Sequence, residues 1–412
     1  MNRTLLPLSL ALAAASCAAV AAAPSFTVDD KLPAGNIVVN SITGDVVSVR
    51  QDLRDTAGDW FYWAFRVTGA AGRKIRFDFR KADGSPASIV GVRGPVVSTD
   101  GGKTFAYPLD GAATRSGFAY TFGLGEDETL FYECHPYVRA NWDAFVARHA
   151  ADAAKGLFAP GRLCTSRKGA GVPCARIGCL GAEKPLCRVF VAARHHCSET
   201  MASWVLEGLA DEFLADTAAG AWLRGNVELM AVPFVDYDGA QAGDQGKNRR
   251  PHDHNRDYTE FIYPETKAIA DWIMKDAGGR LDAFFDLHCP VQSGKYNEFV
   301  YTPRKSPRVE PCPAAEDRFS RLVESMQSGA MRYRAGDDLP YGESWNNDAN
   351  YAQGLPSVAW ACKAVKGLLV CRTFEIPFAN ANGAVVTPEA CRDFGHTVAQ
   401  ALQVMLSERR GP

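Results

Sequence analysis

The pattern of apolar and polar residues changes in character near residue 137. Before it, short apolar segments predominate: residues 59–67 are rich in aromatic and β-branched residues, and residues 74–80 alternate strictly between polar and apolar. Both patterns are typical of strands. Turn signals separate them at Thr68-Gly69, Asp83-Gly84 and Asp100-Gly101-Gly102. The pattern predicts an all-β domain over residues 24–136, most simply a sandwich.

After residue 137, helical patterns alternate with continuous apolar segments. The predicted helices cover residues 141–154, 201–215, 264–277 and 315–332, and the predicted strands cover residues 187–193, 227–235, 281–287 and 368–376. Fully apolar strands between helices indicate a sheet that is buried on both faces. We therefore predict an α/β domain over residues 137–412, with a mixed, mainly parallel sheet flanked by helices. Ligands of such sheets bind beyond the carboxyl ends of the strands.

The first 23 residues have the pattern of a secretory signal peptide. An apolar segment follows a short, weakly positive start, and three alanines precede Pro24 as a small-residue cleavage site. The segment is too short and too rich in alanine for a membrane anchor, and no later apolar segment is long enough to cross a bilayer. The sequence therefore predicts an exported protein, periplasmic or secreted, without stable membrane insertion.

Charge and cysteine content add two expectations. The net charge of −2 argues against a nucleic-acid partner, because phosphate binding needs an excess of basic residues. Of the 12 cysteines, all but Cys17 follow the predicted signal peptide, and export permits disulfides. We expect at least two disulfide bonds. The candidates are a stapled Gly-rich loop with Cys164, Cys174, Cys179 and Cys187, and a small loop between Cys362 and Cys371.

Good metal ligands lie where predicted strands end. His196 and Glu199 follow one strand, and their spacing at the start of a helix lets both face one point. His288 ends another strand and can supply the third ligand of a catalytic zinc site, which keeps one position open for water. The sequence predicts one Zn²⁺ per chain at these three residues. His195 points to the other side of the extended backbone and is expected to be a neighbour of the site.

A second constellation competes with this site. Cys197 and Cys289 each directly follow a proposed ligand, and thiolates bind zinc strongly. A closed cysteine site would be structural and would leave no position for water. Because His196, Glu199, His288 and the strand-end Glu375 all fall at the same edge of the predicted sheet, the open site explains the pattern better.

Four segments in order resemble the motifs of the zinc carboxypeptidases, and specifically their cytosolic-carboxypeptidase-like branch. Residues 193–200 read ARHHCSET and resemble the signature A-R-x-H-P-G-E-T. Residues 253–256 (DHNR) are similar to D-x-N-R, residues 286–288 (DLH) to the third-ligand motif, and residues 373–375 (TFE) to the catalytic-glutamate strand. The resemblance covers residues 130–380, and a β-sandwich before the catalytic domain is also typical of that branch.

Three departures accompany the resemblance. The Pro-Gly of the signature is Cys197-Ser198, and Cys289-Pro290 replaces the small polar residues expected after His288. In residues 246–250 (GKNRR), both Arg249 and Arg250 are candidates for the catalytic arginine of the family, and the sequence does not decide between them.

The resemblance implies a metallocarboxypeptidase that removes the C-terminal residue of a peptide or protein. Glu375 would act as general base and acid, and Arg249 or Arg250 would stabilise the oxyanion together with zinc. The planar guanidinium of Arg256, with Asn255, would bind the terminal carboxylate of the substrate. Asp253 would orient the ring of His196.

Two positions leave alternatives open. Tyr351 is either the tyrosine that closes over the substrate in this family or an aromatic residue of a surface loop. In the segment 357–366, which helps to form the specificity pocket of the family, Lys363 or Lys366 would favour an acidic terminal residue, and Trp360 would favour an apolar one. The sequence gives no oligomeric state.

Two other functions are compatible with the same residues. One is a zinc-dependent deacylase or amidase that acts on N-acyl amino acids or cell-wall peptides. The other is a non-catalytic binding protein that has kept the fold. The retention of Glu375, Arg256 and three metal ligands argues against the binding protein, and the separate β domain favours the carboxypeptidase over the deacylase.

Overall fold

The structure is a computed structural model that describes residues 26–410 apart from residues 59, 181–184, 293 and 307–311. The predicted signal peptide, residues 1–23, lies outside the described residues. The part of the chain before residue 137 is built from strands, and the part after it combines strands with helices.

The first part is a β-sandwich of two four-stranded sheets. Its strands are β1 (Thr27–Asp29), β2 (Val38–Thr43), β3 (Val46–Arg50), β4 (Ala64–Thr68), β5 (Lys74–Phe79), β6 (Val96–Ser98), β7 (Gly117–Thr121) and β8 (Glu128–Tyr132). One sheet has the order β1-β4-β8-β6 and the other the order β2-β3-β5-β7. Aromatic rings fill the space between them: Phe65 of β4 lies 5.1 Å from Phe77 of β5 and 5.0 Å from Phe131 of β8, measured between ring centroids. Their burial supplies most of the apolar core of the sandwich.

The second part is an α/β unit around a six-stranded sheet. Its helices are α1 (Arg139–Arg148), α2 (Ala150–Ala154), α3 (Thr200–Leu214), α4 (Ala218–Asn226), α5 (Tyr237–Ala242), α6 (Pro264–Asp271), α7 (Pro313–Met326), α8 (Asp348–Tyr351), α9 (Ser357–Ala364) and α10 (Pro388–Arg410). Its strands are β9 (Phe158–Thr165), β10 (Gly171–Gly178), β11 (Cys187–Ala193), β12 (Val227–Val232), β13 (Ala283–His288) and β14 (Val370–Glu375), followed by the small hairpin β15 (Asn380–Ala381) and β16 (Ala384–Val385).

The sheet has the order β14-β13-β11-β12-β10-β9. Its first four strands are mutually parallel, whereas β10 and β9 run antiparallel to their neighbours. Residues of β11 alternate between two apolar cores, with Val189 and Val191 facing α3 and α10, and Phe190 facing α6 and α9. The predicted fold class, a mixed and mainly parallel sheet flanked by helices and preceded by a β-sandwich, is confirmed.

The Cys-rich stretch differs from the prediction of a stapled loop. Cys164 lies in β9 and Cys174 in β10, and these two strands form an antiparallel hairpin. No disulfide bond joins two cysteines in the part of the chain that the structure describes, so the expected disulfides are not confirmed. Backbone hydrogen bonds between β9 and β10 hold this hairpin in place.

The C-terminal helix α10 was not apparent from the sequence pattern, and it packs along α3. The two helices approach very closely at Gly208 and Gly395, where a Cβ on Gly208 would lie 2.1 Å from the carbonyl oxygen of Arg392 and one on Gly395 would lie 2.2 Å from that of Val205. Only glycine permits this contact. Among the described residues, no helix combines the length and the apolar character that crossing a membrane requires.

Candidate active site

Three ligand-type side chains converge at the carboxyl edge of the parallel strands. His196 and Glu199 lie in the turn between β11 and α3, and His288 is the last residue of β13. The His196 Nδ1 atom lies 2.9 Å from Glu199 Oε1, and the His288 Nδ1 atom lies 2.7 Å from Glu199 Oε2. The two Nδ1 atoms are 3.1 Å apart. Two imidazoles and a carboxylate directed at one buried point fit the donor set of a catalytic zinc site.

Further polar groups orient these rings from behind. Asp286 Oδ2 and Asn255 Nδ2 lie 2.9 Å and 3.0 Å from His288 Nε2. Asp253 Oδ1 lies 3.6 Å from His196 Nε2, which is close to the partnership that the resemblance implies. Burial opposes the ionisation of Asp286, but the charges of neighbouring histidines, His195 and His288, bring its pKa well below the usual range. An ionised carboxylate behind a ligating ring fixes the orientation of that ring.

His195 is a neighbour of the metal-type site, as predicted. It is fully buried, and its Nδ1 atom lies 2.7 Å from Asp286 Oδ1 while its Nε2 atom lies 2.7 Å from the hydroxyl of Tyr258. His195, Asp286 and His288 also form a compact group of possible metal ligands. Because both ring nitrogens of His195 are engaged in hydrogen bonds, we regard this residue as a support for His288 through Asp286.

The rival cysteine site is not formed. Cys197 and Cys289 are buried, and burial raises the pKa of both thiols well above the usual range, which keeps them protonated. The Sγ atom of Cys197 is 3.0 Å from the carbonyl oxygen of Asp244 and donates a hydrogen bond to it. Neither cysteine belongs to a group of possible metal ligands among the described residues.

Glu375 is placed beside the metal-type site by strand pairing. It is the last residue of β14 and stands opposite His288 in the parallel register of β13 and β14. Its backbone is held on both sides, since Glu375 N donates to the carbonyl of Tyr301 at 2.9 Å and Ile376 N donates to the carbonyl of His288 at 2.8 Å. Burial raises the pKa of the Glu375 carboxyl to about 7. A carboxyl with a pKa near neutrality can both accept and return a proton at physiological pH.

A cavity of about 810 Å³ opens over these residues. His196, His288 and Glu375 line it together with Asn255 and Arg256, which belong to a single 3₁₀ turn, His254–Arg256. Asn255 is fixed there because its Oδ1 atom accepts a hydrogen bond from Ser357 N at 2.9 Å. The cavity therefore combines a metal-type site, an acid–base candidate and an amide–guanidinium pair.

The guanidinium of Arg256 makes two hydrogen bonds and keeps one donor without a partner. Its Nη1 atom donates to the carbonyl of Asn255 at 2.8 Å and its Nη2 atom donates to Asn350 Oδ1 at 3.1 Å. Its buried Nε–H has no hydrogen-bond partner among the described residues. Arg256 also lines the cavity, and a guanidinium on a cavity wall can bind a carboxylate.

Tyr351 also lines this cavity. This position favours its interpretation as the tyrosine that closes over the substrate, rather than as an aromatic residue of a surface loop. It ends α8, and its hydroxyl lies 2.7 Å from Asn346 Oδ1. Of the two lysines considered for specificity, Lys363 lines the cavity and Lys366 does not.

The structure does not bring Arg249 and Arg250 to the metal-type site. The guanidinium of Arg249 is surrounded by three carboxylates: Asp55 at 3.0 Å, Asp244 at 3.3 Å, and Asp236 in close contact. Arg250 is exposed, and both arginines line a second cavity of about 570 Å³. Arg249 is held away from the metal-type site in part by Asp55, a carboxylate of the β-sandwich part. Because Asp55 is far from residues 246–250 in the sequence, the motif alone did not reveal this ion pair.

Two residues at the site were missed. Lys247 lines the catalytic cavity, and its Nζ atom lies 3.6 Å from Glu199 Oε1. Trp60 comes from the β-sandwich part, and its ring centroid lies 5.0 Å from the same Nζ atom. Lys247 lies two residues before Arg249 and three before Arg250, so the sequence shows three cations in this segment. Only the fold shows which of the three cations faces the site.

Comparison with solved structures shows the fold. A metallo-carboxypeptidase from Burkholderia cenocepacia aligns with 94% of this chain and 100% of its own, with a TM-score of 0.73 and 20% sequence identity. A metallo-carboxypeptidase from Pseudomonas aeruginosa, solved in complex with (2-guanidinoethylmercapto)succinic acid, covers 92% of this chain and 100% of its own, with a TM-score of 0.68 and 21% identity. The chain therefore has the fold of these metallo-carboxypeptidase structures.

Sequence comparison agrees with this class. Cytosolic carboxypeptidase 3 of Mus musculus is 25% identical over 193 residues, which are 45% of this chain and 19% of that protein. Cytosolic carboxypeptidase 2 of Xenopus tropicalis is 28% identical over 206 residues, which are 47% of this chain and 21% of that protein. The chain thus spans about a fifth of the length of these relatives. No protein-family model matches it. These relatives agree with the resemblance to the zinc carboxypeptidases that the motifs indicate.

Proposed function

We propose that this protein is a zinc-dependent carboxypeptidase that hydrolyses the last peptide bond of a peptide or protein. One observation carries the proposal: the group of His196, Glu199 and His288 reaches, through its two histidines, a cavity that the acid–base candidate Glu375 and Arg256 also line. The three ligand-type groups leave room for a fourth ligand, as in catalytic rather than structural zinc sites.

The residues divide the chemistry between them. When bound, zinc supplies a Lewis acid that makes a water molecule acidic near neutral pH. Glu375 accepts a proton from the attacking water while the water oxygen bonds to the scissile carbonyl carbon. The same carboxyl then delivers that proton to the amide nitrogen as the carbon–nitrogen bond breaks. The products are a shortened peptide with a new carboxylic acid group, which passes its proton to the released amine or to solvent, and a free amino acid.

Substrate recognition should depend on the terminal carboxylate. We expect C-terminal amidation of a peptide to abolish cleavage, because the guanidinium of Arg256 and the amide of Asn255, which both line the cavity, then lose their charged partner. We also expect Arg256→Lys to raise KM by about 10-fold or more, since a lysine cannot reproduce the planar guanidinium contact. Steady-state kinetics on paired free and amidated peptides measure both effects.

The exposed Arg250→Lys substitution provides a matched control, because Arg250 does not line the catalytic cavity. Its KM should stay close to that of the wild type. If amidated and N-acylated substrates are cleaved as fast as free peptides, the protein is an amidase or deacylase instead, and the carboxypeptidase proposal is wrong.

We also propose that the protein is exported, periplasmic or secreted, on the pattern of residues 1–23. Mass spectrometry of the protein purified from its native source should then give a mature chain that begins at or near Pro24. A chain that retains residues 1–23 would contradict export by cleavage of a signal peptide.

A further inference from the structure

We propose that Lys247 is the catalytic cation that stabilises the oxyanion during hydrolysis, the part that the family resemblance implied for Arg249 or Arg250. The inference rests on the proposed function. In it, the ammonium group of Lys247 donates a hydrogen bond to the carbonyl oxygen of the scissile bond as negative charge develops there. No bond to the lysine forms, and its proton stays on nitrogen.

The position of Lys247 fits this role. Its side chain lines the same cavity as His288 and Glu375, and its Nζ atom lies 3.6 Å from Glu199 Oε1, so the positive charge lies next to the metal-type site. The side chain is 29% exposed, so it is not fully enclosed by the protein. An ammonium group has three donors, so it can contact Glu199 and still donate to a substrate oxygen. A fixed donor in a poorly solvated cavity stabilises developing charge more than water does.

Arg249 cannot take this part without disrupting its surroundings. Its Nε, Nη1 and Nη2 atoms each face a different carboxylate, those of Asp55, Asp236 and Asp244. Burial opposes the charge of Arg249, but the neighbouring carboxylates, led by Asp236, raise its pKa above its already high usual value. Moving the guanidinium to the catalytic cavity would leave these buried carboxylates without a counter-charge, which is strongly unfavourable.

The β-sandwich part fixes the backbone on both sides of Lys247. Asp55 accepts hydrogen bonds from the backbone N–H groups of Gln245, at 3.0 Å, and Gly246, at 2.9 Å. The Thr56 hydroxyl donates to the carbonyl of Lys247 at 2.6 Å. Ala57 N then donates to the carbonyl of the next residue at 3.1 Å. These contacts determine where the lysine side chain leaves the loop.

Two further features, the backbone of Gly246 and the ring of Trp60, complete this positioning. Gly246 has a φ of +85°, and a Cβ there would lie 2.4 Å from the backbone nitrogen of Cys197, so the loop passes directly against the metal-binding turn. The ring of Trp60 lies 5.0 Å from the Lys247 Nζ atom, a cation–π distance that holds the ammonium toward the cavity. The β-sandwich part therefore has a definite role, since it positions the oxyanion-binding cation.

The test compares Lys247→Met and Lys247→Arg with the wild type, and uses Lys155→Met as control. Lys155 is 66% exposed and does not line the cavity. We expect Lys247→Met to lower kcat by about 100- to 1,000-fold with KM changed little, because the lost donor acts mainly in the transition state. Lys247→Arg should restore a large part of kcat, and Lys155→Met should be like the wild type.

A second readout does not depend on turnover. Calorimetry should measure the binding of a phosphinic pseudopeptide with a free terminal carboxylate, whose phosphinyl oxygens imitate the oxyanion. We expect Lys247→Met to weaken this binding at least about 10-fold, and to leave the zinc content and the binding of the free C-terminal amino acid unchanged.

The outcomes separate the two proposals. A wild-type protein that binds zinc but removes no C-terminal residue overturns the proposed function, and the role of Lys247 with it. The role of Lys247 alone is overturned if the wild type is active and Lys247→Met has the same activity. It is also overturned if Lys247→Met binds the phosphinic probe with the same affinity as the active wild type. Loss of zinc from Lys247→Met would also overturn it, because the lysine would then support Glu199 rather than the oxyanion. Arg249→Met should instead lower the melting temperature.

Discussion

Replacing Glu375 with glutamine should lower kcat by at least about 100-fold, while the fold and the bound zinc remain. Glutamine has nearly the same shape, so the strand pairing that places residue 375 opposite His288 should persist. Glutamine cannot accept the proton of the attacking water. Glu375 lines the cavity from the end of β14, and no other cavity-lining carboxylate among the described residues belongs to that strand. Turnover of a peptide with a free C-terminus measures the effect, with zinc determined in the same samples by metal analysis.

Glu389→Gln is a matched control for this substitution. Glu389 lies at the start of α10, its side chain is 76% exposed, and it does not line the catalytic cavity. Its kcat should equal that of the wild type. A Glu375→Gln variant with near-normal kcat and full zinc would remove Glu375 from the mechanism.

His196→Ala and His288→Ala should each remove zinc and abolish hydrolysis. Each substitution leaves only two of the three ligands, and two ligands hold a zinc ion poorly. The loss at His288 should also reduce stability, because Asp286 and Glu199 would both lose a buried partner. Metal analysis of dialysed protein, turnover at increasing added zinc and thermal melting measure these effects.

His396→Ala serves as the histidine control. This residue lies on α10, where its Nδ1 atom is 2.9 Å from Glu212 Oε2, and it is not among the possible metal ligands of the described residues. The variant should retain one zinc per chain. Full zinc in both His196→Ala and His288→Ala would show that the metal binds elsewhere.

Much of the catalytic part could be predicted from the sequence because the information is local. The predicted strand 187–193 coincides with β11, and the other parallel strands were predicted within a few residues of their ends. The predicted helix 201–215 matches α3, and the predicted helix 141–154 covers α1 and α2. The other two predicted helices are too long, since α6 ends at Asp271 and α7 at Met326. Continuous apolar segments identify buried parallel strands, and parallel strands bring their carboxyl ends to one edge. The ligand-type residues and Glu375 follow those ends directly, so their convergence follows from the strand order.

Other features depend on residues far apart in the chain. The hairpin of β9 and β10 was missed because its glycines and cysteines suggested a loop, whereas antiparallel pairing with β12 gives these residues a place in the sheet. Helix α10 was missed as well. Its position is set by close contact of Gly395 with α3, about 190 residues earlier in the chain, and residue patterns within one segment do not show such a contact.

The sequence by itself determined the fold class, the metal-type triad and the strand-end glutamate, since each depends on apolar periodicity or on a polar residue at the end of a predicted strand. Only the tertiary structure decided which cation faces the site. Asp55 is 194 residues from Arg249 in sequence, yet it holds that arginine away from the cavity, while Thr56 and Trp60 hold Lys247 beside Glu199. Ion pairs form between groups that the fold brings within a few ångströms of each other. The spacing of residues within a motif therefore does not predict an ion-pair partner from another part of the chain.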